Sequence, residues 1–263
     1  MASSEDRVQE DLLKIYGLLV ARFGPLDWWP AESPFEVMVG AILTQNTAWT
    51  NVEKAIKELK AAQLLSPRAI QKVDIKRLRR LIRSSGYFNQ KALKLKEFVR
   101  FFLAGPFFGS LERMKEMDTQ ALRERLLAVK GIGPETADSI ILYALDQPIF
   151  VVDAYTRRAF SRLGFLPLGV GYEETQKFFT AHLPADVALY NDFHAQIVYL
   201  GKDYCRKKPV CGDCPLAGLD RCRVEAGTTE TQRHRGQEEE EEGKKGREAK
   251  SRSERKRRKR GSG

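Results

Sequence analysis

The sequence has no run of apolar residues that approaches the roughly 20 needed to span a bilayer, so we expect no membrane association. Its N-terminus is polar and acidic and lacks the basic and apolar regions of a signal peptide, which predicts a cytoplasmic protein. No cysteine precedes Cys205, and the last is Cys222. In a reducing compartment this clustering favours metal binding over disulfide formation.

Basic residues outnumber acidic ones, 45 to 35, which gives a formal net charge of +10. Residues 226–263 hold 13 of the basic and 8 of the acidic side chains, so half of the surplus belongs to the body of the chain. A surplus of this size predicts attraction to a polyanion, nucleic acid first. Because many soluble proteins are basic, charge alone favours a nucleic-acid partner and a merely basic surface about equally.

Apolar residues recur with a helical period over most of the chain, and glycine and proline separate the periodic stretches. Pro148–Val152 is apolar and β-branched, but no partner strand is evident, so we predict an extended loop there. Residues 226–263 lack apolar periodicity, which predicts a disordered charged tail. The chain is therefore predicted to be all-α, with helices at Pro34–Leu43, Thr50–Ala61, Ser66–Val73, Lys76–Ser84, Asn89–Phe102, Thr119–Val129, Glu135–Leu145, Tyr172–His182 and Ala185–Tyr199.

Leu127–Asp138 combines a helix, a glycine turn and a second helix. Gly131 and Gly133 flank the apolar Ile132, and glycine permits a positive φ and close backbone approach. Unpaired N–H groups of the turn and of the next helix form a site for a phosphate oxygen, helped by the helix dipole. A plain αα-hairpin with a glycine cap is the alternative, although Thr136, which allows close helix packing, makes the pattern more specific.

This stretch resembles the helix-hairpin-helix of the DNA glycosylase superfamily that includes endonuclease III. In that superfamily a loop and an aspartate follow the hairpin, and Gln147–Asp153 is similar to that segment. The resemblance extends from about residue 10 to Cys222. It implies two helical lobes around a DNA-binding cleft, and base excision repair of double-stranded DNA that carries a damaged base. A nucleoid-associated monomer is the default expectation.

The predicted domain organisation has four parts. Residues 1–34 form an N-terminal helix that packs with the C-terminal lobe, residues 35–149 the central domain with the hairpin, residues 150–225 the C-terminal lobe with the cysteine loop, and residues 226–263 the tail. By resemblance Tyr87 is a wedge that fills the gap left by a flipped nucleotide, although packing of this aromatic between helices is equally favoured. The expected DNA-contacting residues are Lys130, Gly131, Ile132, Gly133, Thr136 and Tyr87.

Asp153 is predicted to cap the helix that follows it, and its loss should cost about 1 kcal/mol. A carboxylate at a helix N-terminus is stabilised in its ionised form, so the same residue can stabilise the positive charge that builds on the sugar during glycosidic cleavage. By resemblance it matches the catalytic aspartate of the superfamily. Lyase members carry a nucleophilic lysine where this sequence has Glu135, which predicts base release without a covalent imine.

All three tryptophans lie between Trp28 and Trp49, in loops beside a polar Thr-Gln-Asn-Thr stretch. Core packing is the usual role of tryptophan, but an everted base needs stacking partners, and indoles attract cationic rings such as N-alkylated purines. No acid is needed to release such a base. The pattern is similar to the 3-methyladenine DNA glycosylases of the endonuclease III branch. This implies a sandwich of the base between Trp28 and Trp49, within a base pocket of Trp28, Trp29, Pro30, Gln45 and Trp49.

Cys205, Cys211, Cys214 and Cys222 supply four thiolates in a short loop, which suit a [4Fe–4S] cluster or a structural zinc ion equally well. The resemblance implies the cluster, in a structural role, because base hydrolysis transfers no electrons. The predicted function is monofunctional hydrolysis of the N-glycosidic bond of alkylated purines, 3-methyladenine or 7-methylguanine. Two alternatives stay open: a glycosylase and lyase for oxidised or mismatched bases, and a noncatalytic DNA-binding module.

Overall fold

The computed structural model of the protein describes residues 4–26, 28–219 and 222. These residues fall within one compact unit, Met1–Arg223. Every regular element in this part of the chain is helical, which confirms the all-α prediction. The predicted disordered tail, residues 226–263, lies outside the described residues. None of the helices described is both long and apolar enough to cross a bilayer.

The helices of the first half begin where a capping residue precedes an apolar stretch. Ser33 accepts a hydrogen bond from the backbone of Glu36 at the start of α2, and Asp74 caps α5 in the same way. The elements are α1 (Ser4–Phe23), α2 (Pro34–Leu43), α3 (Trp49–Ala61), α4 (Pro67–Lys72), α5 (Ile75–Leu81), a 3₁₀ turn (Arg83–Ser85) and α6 (Phe88–Leu103).

The second half continues with shorter helices and then two longer ones. They are α7 (Leu111–Lys115), α8 (Thr119–Leu127), α9 (Pro134–Ser139), a π-helical segment (Ile140–Ala144), α10 (Ala154–Arg162), α11 (Tyr172–His182) and α12 (Val187–Asp203). The stretch Pro148–Val152 has no regular structure, as the sequence predicts.

Two predicted helices are divided in the structure. Lys76–Ser84 was expected to be continuous, but α5 ends at Leu81 and a 3₁₀ turn leads to Gly86, whose φ of 66° the helix cannot accommodate. Glu135–Leu145 divides into α9 and the π-helical segment, whose five residues are all buried. Apolar periodicity does not distinguish the two helix types, because the wider π turn is set by packing on both sides.

The helices pack in two groups within the one compact unit. Helices α2 to α6, α8 and α9 form one group, whereas α1 packs on α11 and α12, and α10 packs on α12. The π-helical segment Ile140–Ala144 contacts both α2 and α12, so it lies where the groups meet. Hydrogen bonds tie the N-terminal segment to α12, from the Tyr16 hydroxyl to Asp192 at 2.7 Å and from the Gln196 amide to the Gly24 carbonyl at 2.7 Å.

Candidate active site

Asp153 caps α10, as the sequence predicts. Its Oδ1 accepts hydrogen bonds from the Thr156 backbone N–H at 2.7 Å and from the Thr156 hydroxyl at 2.9 Å, which completes a capping box. Its side chain is 11% exposed. The other oxygen, Oδ2, lies 3.8 Å from His194 Nε2. This distance is beyond hydrogen-bond range. One oxygen is therefore fixed to the helix while the other retains acceptor capacity.

The backbone just before Asp153 is held by a buried polar network. The Tyr172 hydroxyl accepts from the Val152 N–H at 3.3 Å and donates to Asp138 at 2.8 Å. The Gln176 amide donates both to Asp138 and to the Phe150 carbonyl, at 2.7 Å each. This network connects α9, which follows the hairpin, to the loop that carries Asp153.

Arg123 completes that network from α8. It contacts Asp138 through two nitrogens, at 2.7 and 3.2 Å, and Glu173 at 2.8 Å. Burial alone would lower the pKa of the Arg123 guanidinium, but hydrogen bonds with Asp138 and Glu173 raise it above its ordinary value. Asp138 is fully buried, so its charge depends on these partners.

A buried tyrosine–histidine pair lies behind Asp153. The Tyr143 hydroxyl is 2.5 Å from His194 Nδ1, and His194 is only 6% exposed. Burial lowers the pKa of His194 although the charge of Asp153 opposes this, so the imidazole is neutral at neutral pH. Burial and the charge of Asp153 also raise the pKa of Tyr143 well above its ordinary value.

Glu135, at the position matched to the lyase lysine, neighbours Asp153. The residue is exposed at the start of α9. Desolvation by the surrounding protein and the charge of Asp153 raise its pKa from 4.5 to about 7, against an opposing effect of Arg157. Protein surrounds the Glu135 carboxyl on several sides, so the carboxyl contacts water but loses part of its hydration. This explains why the residue is exposed and yet has a raised pKa. The site therefore contains a second carboxyl that binds a proton near neutral pH.

The aromatic cluster centres on Trp29 rather than on Trp28 and Trp49 alone. Trp29 meets Trp49 edge-on at 5.0 Å between ring centroids, Trp28 at 5.9 Å, and Tyr143 at 5.4 Å. It also packs on α2, where a Cβ added to Gly40 would lie 3.2 Å from the Trp29 indole nitrogen. Tyr143 is thus shared between this cluster and His194.

Trp28 also faces the C-terminal lobe. The Lys202 ammonium lies over its ring at 5.8 Å, a cation–π contact from α12. Trp49 donates its indole N–H to Glu53 at 3.1 Å, and Pro30 is exposed. Pro30 and Trp49 line a small cavity of about 110 Å³. The sandwich of a base between Trp28 and Trp49 stays a prediction.

The hairpin has the predicted glycine turn, with one difference. Gly131 has a φ of 91°, and a Cβ there would lie 2.6 Å from Lys94 Cγ, whereas Gly133 has a φ of −102° and open space around it. Only Gly131 requires glycine on these grounds. No side chain caps the start of α9, which leaves its first N–H groups without that partner.

Three of the predicted residues around the hairpin are engaged within the protein. The Gln45 amide donates to the Gly131 carbonyl at 3.2 Å and to the Thr136 hydroxyl at 2.9 Å, and it accepts from Lys94. Ile132 and Thr136 are each 6% exposed. Gln45 therefore joins α2 to the hairpin, and its predicted contact with a base remains a prediction.

Lys130 and Tyr87 are exposed, as surface contacts with DNA require. Tyr87 is 71% exposed with a φ of 43°, so it is not packed between helices. Lys130 lines an open recess of about 500 Å³ together with Arg100 and Arg125. That recess does not include Asp153 or Glu135. The candidate active site is the separate region of the Asp153 carboxylate and the aromatic rings.

The four cysteines lie in the loop after α12 and form no disulfide. Burial raises the pKa of the Cys214 thiol, and the other three thiols each add to the rise, so each of them lies near enough to act on Cys214 electrostatically. Arg162 of α10 donates to Cys205 Sγ at 3.3 Å and to the Arg206 carbonyl at 2.6 Å. Nevertheless, no group of three or more metal-binding side chains in the described residues is arranged to hold an ion, so the predicted iron–sulfur loop is not confirmed.

Sequence reasoning missed Tyr143 and His194. Each lies on an apolar helical stretch, and 51 positions separate them. The only signal was a histidine within the buried face of α12, and a buried histidine is more often structural than functional.

Comparisons with known proteins identify the family. Residues 39–184 match the model of the HhH-GPD superfamily base excision DNA repair proteins. The chain is 48% identical over 209 residues to a protein of Methanocaldococcus jannaschii that is named as a DNA repair glycosylase. The alignment covers 79% of this chain and 94% of that relative.

Solved structures show the same architecture. The crystal structure of H. pylori 3-methyladenine DNA glycosylase bound to 1,N6-ethenoadenine aligns with a TM-score of 0.61 and 31% identity, over 76% of this chain and 98% of the other. A non-covalent endonuclease III–DNA complex aligns with a TM-score of 0.69 and 23% identity, over 85% of this chain and 96% of the other, a likeness of fold alone.

The protein belongs to the HhH-GPD superfamily of base excision DNA repair proteins. It is a DNA N-glycosylase and binds DNA, which confirms the class of enzyme expected from the hairpin and Asp153.

Proposed function

We propose that the protein is a monofunctional glycosylase that hydrolyses the N-glycosidic bond of alkylated purines in double-stranded DNA. The observation that carries this proposal is the state of Asp153, fixed at the N-terminus of α10 through one oxygen and open at the other. In this mechanism the carboxylate stabilises the cationic sugar as the base departs, and it orients the water that attacks.

Trp28, Trp29 and Trp49 form the other half of the proposed site. Their rings lie in one cluster that Tyr143 connects to the neighbourhood of Asp153. A purine nucleoside alkylated at N3 or N7 is cationic, so an indole face attracts it by about 0.5–2 kcal/mol. Because its glycosidic bond is already weakened, stacking and one carboxylate supply the main requirements of the reaction. The 3-methyladenine glycosylase of H. pylori is the structural neighbour that supports this choice of substrate.

A second substrate class is favoured by Glu135. A carboxyl with a pKa of about 7 can protonate a departing base at neutral pH, which an uncharged base requires and a cationic one does not. The sequence alone indicates no such acid. An uncharged purine adduct such as 1,N6-ethenoadenine, the ligand of the H. pylori enzyme structure, is therefore the second candidate substrate.

The experiment is a panel of duplex oligonucleotides with one lesion each, with the released base identified by mass spectrometry. We expect free 3-methyladenine or 7-methylguanine and an uncut strand that breaks only after alkali. Release of only oxidised pyrimidines would contradict the proposal. Borohydride with abasic DNA tests the monofunctional assignment, because Glu135 cannot form a Schiff base and we expect no covalent adduct.

We also propose that Cys205, Cys211, Cys214 and Cys222 hold a [4Fe–4S] cluster, with structural zinc as the alternative. Four neighbouring thiols fit either group by donor chemistry. When bound, the group fixes the loop that Arg162 joins to α10, the helix that Asp153 caps. Iron, acid-labile sulfide and zinc measured per chain after anaerobic purification distinguish the two. One zinc ion without sulfide would overturn the cluster.

Three basic residues lie between the first two cysteines. Arg206, Lys207 and Lys208 are all exposed. We propose that they and Lys130 contribute to non-specific affinity for DNA, which should fall as salt rises. Substituting one of these residues should reduce the slope of log K for DNA binding against log salt concentration by about 1.

A further inference from the structure

Tyr143 and His194 bring two distant segments together directly behind Asp153. Tyr143 belongs to the π-helical segment and His194 to α12, and both side chains are buried. We propose that the two form a fixed donor chain that positions the Asp153 carboxylate. This inference rests on the proposed catalytic role of Asp153. It makes Tyr143 and His194 positioning residues rather than catalytic ones.

The direction of the chain follows from the two contacts of the imidazole. His194 Nδ1 lies 2.5 Å from the Tyr143 hydroxyl, and Nε2 lies 3.8 Å from Asp153 Oδ2. If the tyrosine donates to Nδ1, the proton of the neutral ring is on Nε2 and its N–H dipole faces the carboxylate. The other tautomer would direct the Nε2 lone pair toward a negative oxygen, which is repulsive. The geometry therefore assigns the Nε2–H tautomer.

His194 Nε2 has no hydrogen-bond partner although it is buried. A buried donor without an acceptor is costly, and the nearby Oδ2 is the acceptor that would satisfy it. The separation is too short for a bridging water and about 1 Å too long for a direct bond. Such contacts commonly shorten when an active site binds its substrate.

Other charged groups near this chain come from α9 and α10. Glu135 and Asp153 both act on Tyr143, and Arg157 of α10 acts on Glu135. The Trp28 indole N–H also faces the Tyr143 hydroxyl, although it does not reach hydrogen-bond geometry. Within this group His194 is the residue that presents a donor to Oδ2. Removing that donor should leave Oδ2 without a fixed orientation, so the carboxylate would be less well placed for the reaction.

The first test requires no substrate. Nitrogen NMR of the full chain with labelled histidine reports the tautomer of each imidazole, and the His194→Gln variant identifies the signals of His194. We expect the Nε2–H form, unchanged as the pH falls through about 6.5, where an ordinary imidazole titrates. An Nδ1–H tautomer would overturn the proposal, whatever base the enzyme removes.

The second test uses single-turnover base release and DNA affinity. Tyr143→Phe and His194→Leu each remove one link of the chain. We expect each to slow release about tenfold or more and to leave the Kd for DNA within about twofold. Release at the wild-type rate by both variants, or an equal weakening of DNA binding, would contradict the proposal.

Two variants serve as controls. His194→Gln keeps an N–H donor at a comparable reach and should restore most of the rate. Tyr190→Phe removes a hydroxyl from another buried tyrosine, on α12, and it should leave the rate unchanged. If wild-type protein releases no alkylated purine, the substrate proposal fails, while the tautomer measurement still decides this inference.

Discussion

Asp138 in α9 and Asp153 at the start of α10 have contrasting environments. Asp138 is fully buried and accepts hydrogen bonds from Arg123, Tyr172 and Gln176. Asp153 is partly exposed, and its hydrogen-bond donors act on Oδ1. The Asp138 carboxylate, which accepts from three side chains, stabilises the fold. The Asp153 carboxylate has an oxygen that can still accept, so it can act on a sugar cation and a water. The number of hydrogen-bond donors to a carboxylate therefore indicates its role better than its burial or its charge alone.

The largest effect is expected from Asp138→Ala. It leaves the buried Arg123 with Glu173 as its remaining acidic partner and leaves the Tyr172 and Gln176 donors without Asp138, so stability should fall by about 3–5 kcal/mol. Denaturant unfolding measures the loss. The matched control is Glu97→Ala, which removes the surface ion pair with Arg100 and should cost no more than about 1 kcal/mol. Equal losses for the two variants would remove the distinction between a structural and a surface carboxylate.

A smaller effect is expected at the hairpin that Asp138 supports. Gly131→Ala places a side chain at a φ of 91° and against Lys94, so it should destabilise the protein by about 1–2 kcal/mol and weaken DNA binding. Gly133→Ala is the control for stability, because its φ is negative and no atom lies within 4 Å of the added Cβ. Thermal melts compare the two variants, and DNA titration compares Gly131→Ala with wild type. A larger loss of stability in Gly133→Ala than in Gly131→Ala would contradict the requirement for glycine at position 131.

The smallest effect is expected from Glu135→Gln on the pH dependence of stability. Folding raises the pKa of this carboxyl from 4.5 to about 7, so its stabilising contribution is complete below 4.5 and is lost as the pH rises through 7. The variant should therefore gain stability relative to wild type between about pH 5 and about pH 8. A parallel pair of stability curves would show that neither desolvation nor the charge of Asp153 raises the pKa of Glu135.

The same substitution separates the two substrate classes. If Glu135 protonates an uncharged leaving base, Glu135→Gln should slow release of ethenoadenine far more than release of a cationic alkylpurine. Single-turnover assays on both lesions give the ratio. Equal slowing of the two would leave Glu135 without a role as acid.

Local signals in the sequence predict much of this molecule. The cap at Asp153, the positive φ at Gly131 and most helix positions follow from capping residues, glycine and apolar period. The π-helical segment and the Tyr143–His194 contact depend on packing between segments that are far apart in the chain, which periodicity does not report. The central place of Trp29 is likewise a tertiary result, set by the space that Gly40 leaves on α2.

The most direct test of the account is base release by Asp153→Asn from the lesion that wild type processes. Asparagine also caps helices, so the stability of the variant should stay within about 1 kcal/mol of wild type. We predict release at least about a hundredfold slower, with DNA affinity retained, because the charge that stabilises the sugar cation is gone. Release at the wild-type rate by this folded variant would contradict the central claim that the Asp153 carboxylate drives the reaction.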